Sequence, residues 1–262
     1  MSFLAIATTI IVTMVDEAQL VSFYEDAYSR APGEAALYAR WRALGARGKA
    51  DHVIALCGRA ACTPSSTLEV GCGDGALLCE LRRRGFGGRL SGLEIASAAV
   101  AIAGDRPEID SVEQFDGLHI PAAEDAYELG ILSHVLEHVP DPAALLAEVG
   151  RTCHAVLVEV PLEDNVSARR SAKRAHAEEV GHLQRLNRRA ARAIVAQAGL
   201  TIACELEDPL PLAVHRFFAA GRSARVAAGA KWALRGALHR LAPGLARRMF
   251  TLHYACLCVP AA

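Results

Sequence analysis

Three glycines in five positions, Gly71, Gly73 and Gly75, follow the apolar run Leu68-Glu69-Val70 and enclose Cys72 and Asp74. A backbone this rich in glycine turns sharply and presents its N–H groups at the mouth of the next helix, chemistry suited to holding a polar cofactor. The turn alone leaves that cofactor open. Gly71, Gly73 and Ala76 also satisfy the dinucleotide pattern G-x-G-x-x-[GA]. Glu94 stands 19 residues beyond Gly75, where an acid takes the ribose hydroxyls of any adenosine cofactor.

Groups able to move a proton come later. His134 and His138 lie in the run Ser133-His-Val-Leu-Glu-His138, and an imidazole titrates close to neutral pH, so either ring is a candidate general base. Glu159 follows in Val-Glu-Val-Pro and is placed to hold a substrate amine. Plainer readings stand beside these. Glu69 suits a buried structural acid, Asp116 a cap on its own turn, Glu159 a solvated loop acid and Cys72 a small filler in a compact bend.

The elements that must position these groups alternate along the chain. Apolar spacing at Leu37, Tyr38, Trp41, Leu44, Val53 and Leu56 predicts one or two helices between Glu34 and Arg59. Strands are expected at 67–70, 90–94, 112–115, 128–133 and 155–160, with helices at 75–84, to about Ala103, and from Pro142 to about Thr152. Asn187 caps a further helix closed by Gly199. Two last strands, 200–206 and 250–259, enclose a helical insert with Leu234, Leu238 and Leu241 on one face and Lys231, Arg235 and His239 on another. Strand and helix in alternation mean a doubly wound, mainly parallel α/β sheet, here of seven strands, with N-terminal helices and a helical insert before the last strand. Ligands of such sheets sit at the carboxyl ends of the strands, where Gly71 to Gly75, Glu94, Asp116 and His134 all fall.

Read together, Glu69-Val-Gly-Cys-Gly-Asp-Gly75, Leu-Glu94-Ile, Asp116-Gly117 and Leu132-Ser-His-Val-Leu-Glu-His-Val-Pro-Asp-Pro142 resemble the class I S-adenosylmethionine-dependent methyltransferases, in the small-molecule (methyltransferase type 11/12-like) subgroup. The resemblance covers about residues 64 to 205 and implies a Rossmann-like methyltransferase domain over 61–262, an N-terminal helical cap over 1–60 and a basic insert at about 212–248. It further implies that the turn Gly71-Cys72-Gly73 to Gly75 passes under the methionyl part of S-adenosyl-L-methionine, with Glu69 near the ammonium. Glu94 then binds the ribose, Ile95 packs on adenine, and Asp116 with Gly117 meets the exocyclic amine, while Ser133 and His134 border the transferable methyl. Gly181-His182 resembles a loop on the acceptor side, making His182 a second candidate base, and Tyr38, Trp41 and Arg42 would cover the cleft over a substrate. A nicotinamide enzyme needs neither Glu69 nor the segment after the fourth strand.

Composition bounds the rest. At 262 residues, 52% hydrophobic and 22% charged, the chain is a packed protein with room for one sizeable α/β domain. Eight cysteines form no C-x-x-C pair and no metal-ligand ladder, so no metal is expected and a reducing, cytoplasmic setting is. No N-P-P-Y or D-P-P-Y type motif occurs, and residues 1–210 carry a net −9, which disfavours a nucleic-acid partner. The last 52 residues hold eight Lys or Arg and no acid. That insert suits a lid over an anionic small-molecule substrate, a contact with an acidic carrier protein or membrane surface, or an ordinary solvated helix face. The uncharged first fifteen residues suit neither a signal peptide nor a membrane span; Asp16 is expected to cap a helix through Tyr28, with residues 1–13 dispensable.

Overall fold

The computed structural model describes residues 17–261, so the expectations on residues 1–13 and Asp16 lie outside the described residues. Helix α1 (Glu17–Tyr28) precedes α2 (Pro32–Arg59), a single uninterrupted helix rather than two. Pro32 opens it at a position where a missing N–H costs nothing. Then follow β1 (Ser66–Val70), α3 (Ala76–Arg83), β2 (Arg89–Glu94), α4 (Ser97–Gly104), β3 (Ser111–Gln114) and β4 (Tyr127–Ser133). Next come α5 (Pro142–Thr152), β5 (Cys153–Leu162), α6 (Ser171–Glu179), α7 (Arg188–Gln197) and β6 (Leu200–Asp208). The insert is three helices, α8 (Leu212–Arg216), α9 (Gly221–Leu241) and α10 (Pro243–Met249), before β7 (Leu252–Pro260).

The strands form one seven-stranded sheet in the order β3-β2-β1-β4-β5-β7-β6. All pairings are parallel except those of β7, which runs antiparallel between β5 and β6. The order reverses between β1 and β4, so their carboxyl ends part and leave a crevice for a ligand. Both faces are buried: Val70, Leu132, Leu146, Val158 and Val195 pack on one side, and Val53, Leu56, Leu78, Ile131 and Leu157 on the other. Strands covered twice are mostly apolar, which is why β1, β4 and β5 are dominated by Leu, Val and Ile with their acids and hydroxyls near the ends.

Local signals account for several boundaries. Asp141 and Asn187 accept the Ala144 and Ala190 N–H groups at 3.0 and 2.9 Å and start α5 and α7, and Gly199, at φ +73°, ends the latter. The helical insert is present as expected, and its packing is settled by the tertiary structure. Leu234 and Leu241 are 61% and 86% exposed, whereas Trp232 donates Nε1–H to the Leu210 carbonyl at 3.0 Å and Arg235 turns toward the crevice. The helix turns Trp232 and Arg235 inward, while Lys231 on the basic face and Leu234 and Leu241 on the leucine face lie exposed. Helix α6 had no clear periodicity to announce it.

Candidate functional site

Two adjoining cavities, of about 520 and 400 Å³, open at the carboxyl ends of the parallel strands. Tyr28, Gly71, His134 and His138 line both and mark where they meet.

The smaller cavity is built by the turn after β1 and the ends of β2 and β3. Gly71, Gly73 and Gly75 have φ of +73°, +55° and +74°, which only glycine adopts without cost. A Cβ at Gly71 would come within 2.6 Å of Val135 Cγ2, and one at Gly73 would strike the Tyr28 hydroxyl. Glu94 ties the turn to β2: Oε2 accepts the Gly73 N–H at 2.8 Å, and Oε1 accepts those of Ile95 and Ala96 at 2.8 and 3.2 Å. Burial raises its pKa against these bonds. Ile95, Asp116 and Gly117 line the same cavity. Asp116 also fulfils the plainer expectation, its Oδ1 accepting the Leu118 and His119 N–H groups at 2.8 and 2.6 Å; with His119 Nδ1 on Oδ2, its carboxyl is held down at about 2. Cys72 is a buried filler, so close to β2 that a Cβ at Gly92 would lie 2.7 Å from its sulfur.

Glu69 lies under the turn, on the side of the larger cavity. Burial pushes its carboxyl up to about 8, with Lys49 pulling the other way, and its buried Oε2 has no hydrogen-bonding partner. Such an orphaned acid is costly unless a cation or donor arrives to meet it.

The larger cavity gathers imidazoles. His134, in a left-handed backbone conformation (φ +61°) unusual for a residue with a Cβ, sets its Nδ1 3.1 Å from Glu137 Oε1. Its Nε2 faces His253 Nδ1 at 3.2 Å and Glu159 Oε1 at 3.7 Å, so this ring is turned to the sheet and not freely to an acceptor. Glu159 belongs to β5, fully buried, and is not a loop acid. His253 and His52 approach its Oε1 at 3.1 and 3.3 Å, and the Ser133 hydroxyl donates to Oε2 at 3.2 Å. Burial would raise this carboxyl, but the three imidazoles hold it well below its ordinary range. Its oxygens are engaged by those side chains where it lines the cavity, beside the place expected of a substrate amine.

His182 keeps a free edge. Its Nδ1 lies 2.7 Å from Glu163 Oε2, and its Nε2 has no hydrogen-bonding partner among the described residues. Trp41 lines the cavity and packs on Phe217 and Phe218 with ring centroids 5.2 and 5.0 Å away; Arg42 lines it while pairing with Asp74 at 2.9 Å. Tyr38 borders neither cavity, its ring being 4.4 Å from the Arg30 guanidinium on the outer side of α2.

Sequence reasoning passed over Tyr24, Tyr28, Lys49, His52, Asp208 and His253 as site residues, and named Arg235 only as part of the basic insert. His253 had a signal, a titratable residue in the apolar run Leu-His-Tyr-Ala-Cys-Leu that must be buried. The two groups that could hold a metal, His134 with Glu159 and His253, and Glu137 with His138 and His182, are each assembled from separate strands or loops and therefore leave no ladder in the sequence.

A family model described as "Methyltransferase domain" matches residues 38–205. Among solved structures, a phospholethanolamine N-methyltransferase 2 of Haemonchus contortus, in complex with phosphomonomethylethanolamine and S-adenosylhomocysteine, is 10% identical, with TM-score 0.62 over 93% of this chain and 61% of its own. A geranyl diphosphate C-methyltransferase of Streptomyces coelicolor A3(2), in complex with Mg2+, geranyl-S-thiolodiphosphate and S-adenosyl-L-homocysteine, is 14% identical with TM-score 0.56, covering 75% and 69%. A possible histamine N-methyltransferase of Thermotoga maritima is 15% identical with TM-score 0.55, covering 72% and 83%. No curated protein matches the sequence.

Proposed function

The chain belongs to the methyltransferase-domain family, as a class I S-adenosylmethionine-dependent enzyme, and from that premise we propose that it methylates an oxygen, nitrogen or sulfur atom of an anionic small metabolite. The observation that carries this reading is the cavity of about 520 Å³ that runs from the cofactor turn and Glu69 to the insert, with room for the donor's methionyl end and a small metabolite and too small for a folded partner.

The chain's own residues suit the donor. The orphaned Glu69 oxygen offers a partner for an ammonium, and Glu94, while holding the Gly73, Ile95 and Ala96 N–H groups, borders the cavity where two hydroxyls would lie. When bound, S-adenosylmethionine supplies a methyl already activated on a sulfonium, so the protein need only align the acceptor and exclude water. An acceptor hydroxyl or thiol must lose a proton, and His182, steadied by Glu163, has the free nitrogen to take it.

The acceptor's negative charge is inferred from the wall opposite the turn. Lys173, Arg185 and Arg235 line it, and Arg235 is half-buried with no described acid within ion-pair distance. It rests instead 5.2 Å from the Phe250 ring and 3.5 Å from His215 Nε2. A desolvated, unneutralised guanidinium is costly alone and favours an anionic guest. Two of the structural neighbours are likewise crystallised with phosphate-bearing ligands. The eight free cysteines support a reducing, cytoplasmic setting.

The test is to incubate the protein with isotopically labelled donor and fractionated metabolites. Label is expected in an anionic small molecule; label only in protein or nucleic acid overturns the reading. Glu94→Ala is expected to weaken donor binding at least about tenfold by calorimetry, since a hydrogen bond to a charged group is worth about 1.5–3 kcal/mol.

A second reading places the acceptor on a surface. Phe218, Val226, Leu234 and Leu241 of the insert are exposed beside Arg222, Arg225 and Arg240, an arrangement that suits contact with an anionic membrane or an acidic carrier protein.

A further inference from the structure

We propose that His134, Glu159 and His253 form a mononuclear divalent-metal site, best suited to zinc, in the floor of the acceptor cavity. The three side chains come from the ends of neighbouring strands β4, β5 and β7 and converge on one point. His134 Nε2 is 3.2 Å from His253 Nδ1, His253 Nδ1 is 3.1 Å from Glu159 Oε1, and His134 Nε2 is 3.7 Å from Glu159 Oε1.

That triangle has the dimensions of a metal's first shell. Donors placed tetrahedrally about 2.0–2.1 Å from zinc are about 3.3–3.4 Å apart, close to the mean of these three separations. An octahedral face at the same bond length has edges of about 2.9 Å and fits less well. Two imidazoles and a carboxylate with one position open is also the donor set of catalytic zinc. Hydrogen bonding explains the group less completely. The two facing ring nitrogens share at most one proton, and the His134–Glu159 distance exceeds a hydrogen bond.

The surroundings are those of a supported metal ligand. Glu137 Oε1 stands 3.1 Å from His134 Nδ1, and its charge there favours the proton on Nδ1 and leaves Nε2 to coordinate. Ser133 donates to Glu159 Oε2, and Oε1 faces the shared point with His52 Nδ1 3.3 Å away on its other side. The strained His134 backbone shows that the ring is held where it is by more than local preference. All three ligands line the cavity, so the open position faces the acceptor.

The inference rests on the proposed methyl transfer and narrows its substrate to an anionic compound with a hydroxyl or thiol. Coordination lowers that group's pKa. The proton passes to His182 or to water, the oxygen or sulfur forms its bond to the methyl carbon, and the carbon–sulfonium bond breaks to leave a neutral thioether.

The experiment strips the full-length protein with chelator and titrates it with Co2+ alone, then with Zn2+ in competition. One Co2+ per chain with the intense visible bands of a tetrahedral site is expected, displaced by one Zn2+. His253→Ala should weaken Co2+ binding at least about 100-fold, and Glu137→Gln, which spares all three ligands, about 10–100-fold. S-adenosylhomocysteine binding by calorimetry should survive both changes, which separates loss of the metal from misfolding and from failure of the methyltransferase reading. No Co2+ binding by the wild type, or binding unaltered in His253→Ala, overturns the site and means a metal-free hydrogen-bonded cluster.

Discussion

Glu69 is the residue whose state depends most directly on what the turn holds. Its carboxyl, pushed by burial to about 8 with Lys49 opposing, carries its proton at neutral pH in the free protein. An ammonium beside it favours the carboxylate, so donor binding must expel that proton. Affinity for S-adenosylhomocysteine is therefore expected to rise between pH 6 and 7.5, by at most about tenfold per unit, because the bound state holds fewer protons. Glu69→Gln should flatten the profile. Calorimetry at three pH values decides it, and a flat wild-type profile would mean that Glu69 stays protonated as a structural acid. His182 answers to a different measurement. His182→Gln should lower kcat by about 10²–10⁴ with donor affinity unchanged if it accepts the acceptor's proton. An unaltered kcat would assign that task elsewhere.

At the scale of elements, two glycines in left-handed conformations separate stability from binding. Gly88 enters β2, and a Cβ there would collide with the Ser65 backbone, which cannot move without shifting β1. Gly88→Ala should cost at least about 2 kcal/mol and lower Tm, with donor affinity intact in the folded fraction. Gly73→Ala collides with a side chain, the hydroxyl end of Tyr28, and not with backbone. It should spare more stability but weaken donor binding, since α1 closes over the turn through Tyr28 and is pinned by Glu25, which accepts the Ser97 and Ala98 N–H groups at 2.5 and 3.1 Å. Equal losses of Tm would refute the distinction. The glycine turn, Glu94 and the strand order were legible because each is local: a fixed backbone geometry, a fixed spacing, an alternation of periods. The orientation of α9 was not. Its spacing marked a leucine face and a basic face without saying which turns inward, because what lies beneath it is a cavity formed by residues far away in sequence. The same holds for His134 and His253, which are 119 positions apart and meet only because β7 inserts beside β5. No single-element pattern encodes that meeting.

Taken whole, the molecule is electrically divided. Residues 1–210 carry a net −9 and the remainder +8, and the division follows the architecture, since all eight late basic residues lie in the insert helices or the turns joining them. Arg247 is engaged by Glu207 at 3.0 Å, and Arg235 faces the cavity. Arg222, Arg225, Lys231, Arg240 and Arg248 remain exposed, with no described acid within ion-pair distance. No described helix is long and apolar enough to cross a membrane. Contact with a bilayer would therefore be made at its surface, where each basic side chain contributes about 1 kcal/mol toward anionic lipid and the exposed Leu234, Leu241 and Phe218 add apolar burial. Flotation with phosphatidylserine vesicles should then recover the protein at low salt and lose it at high salt, as screening shortens the reach of those charges. Leu241→Ser should weaken recovery without changing turnover of a water-soluble acceptor, because Leu241 points away from the cavity. Failure to float at low salt would remove the membrane and leave Arg235 as the insert's functional charge, closing the cavity over an anionic substrate.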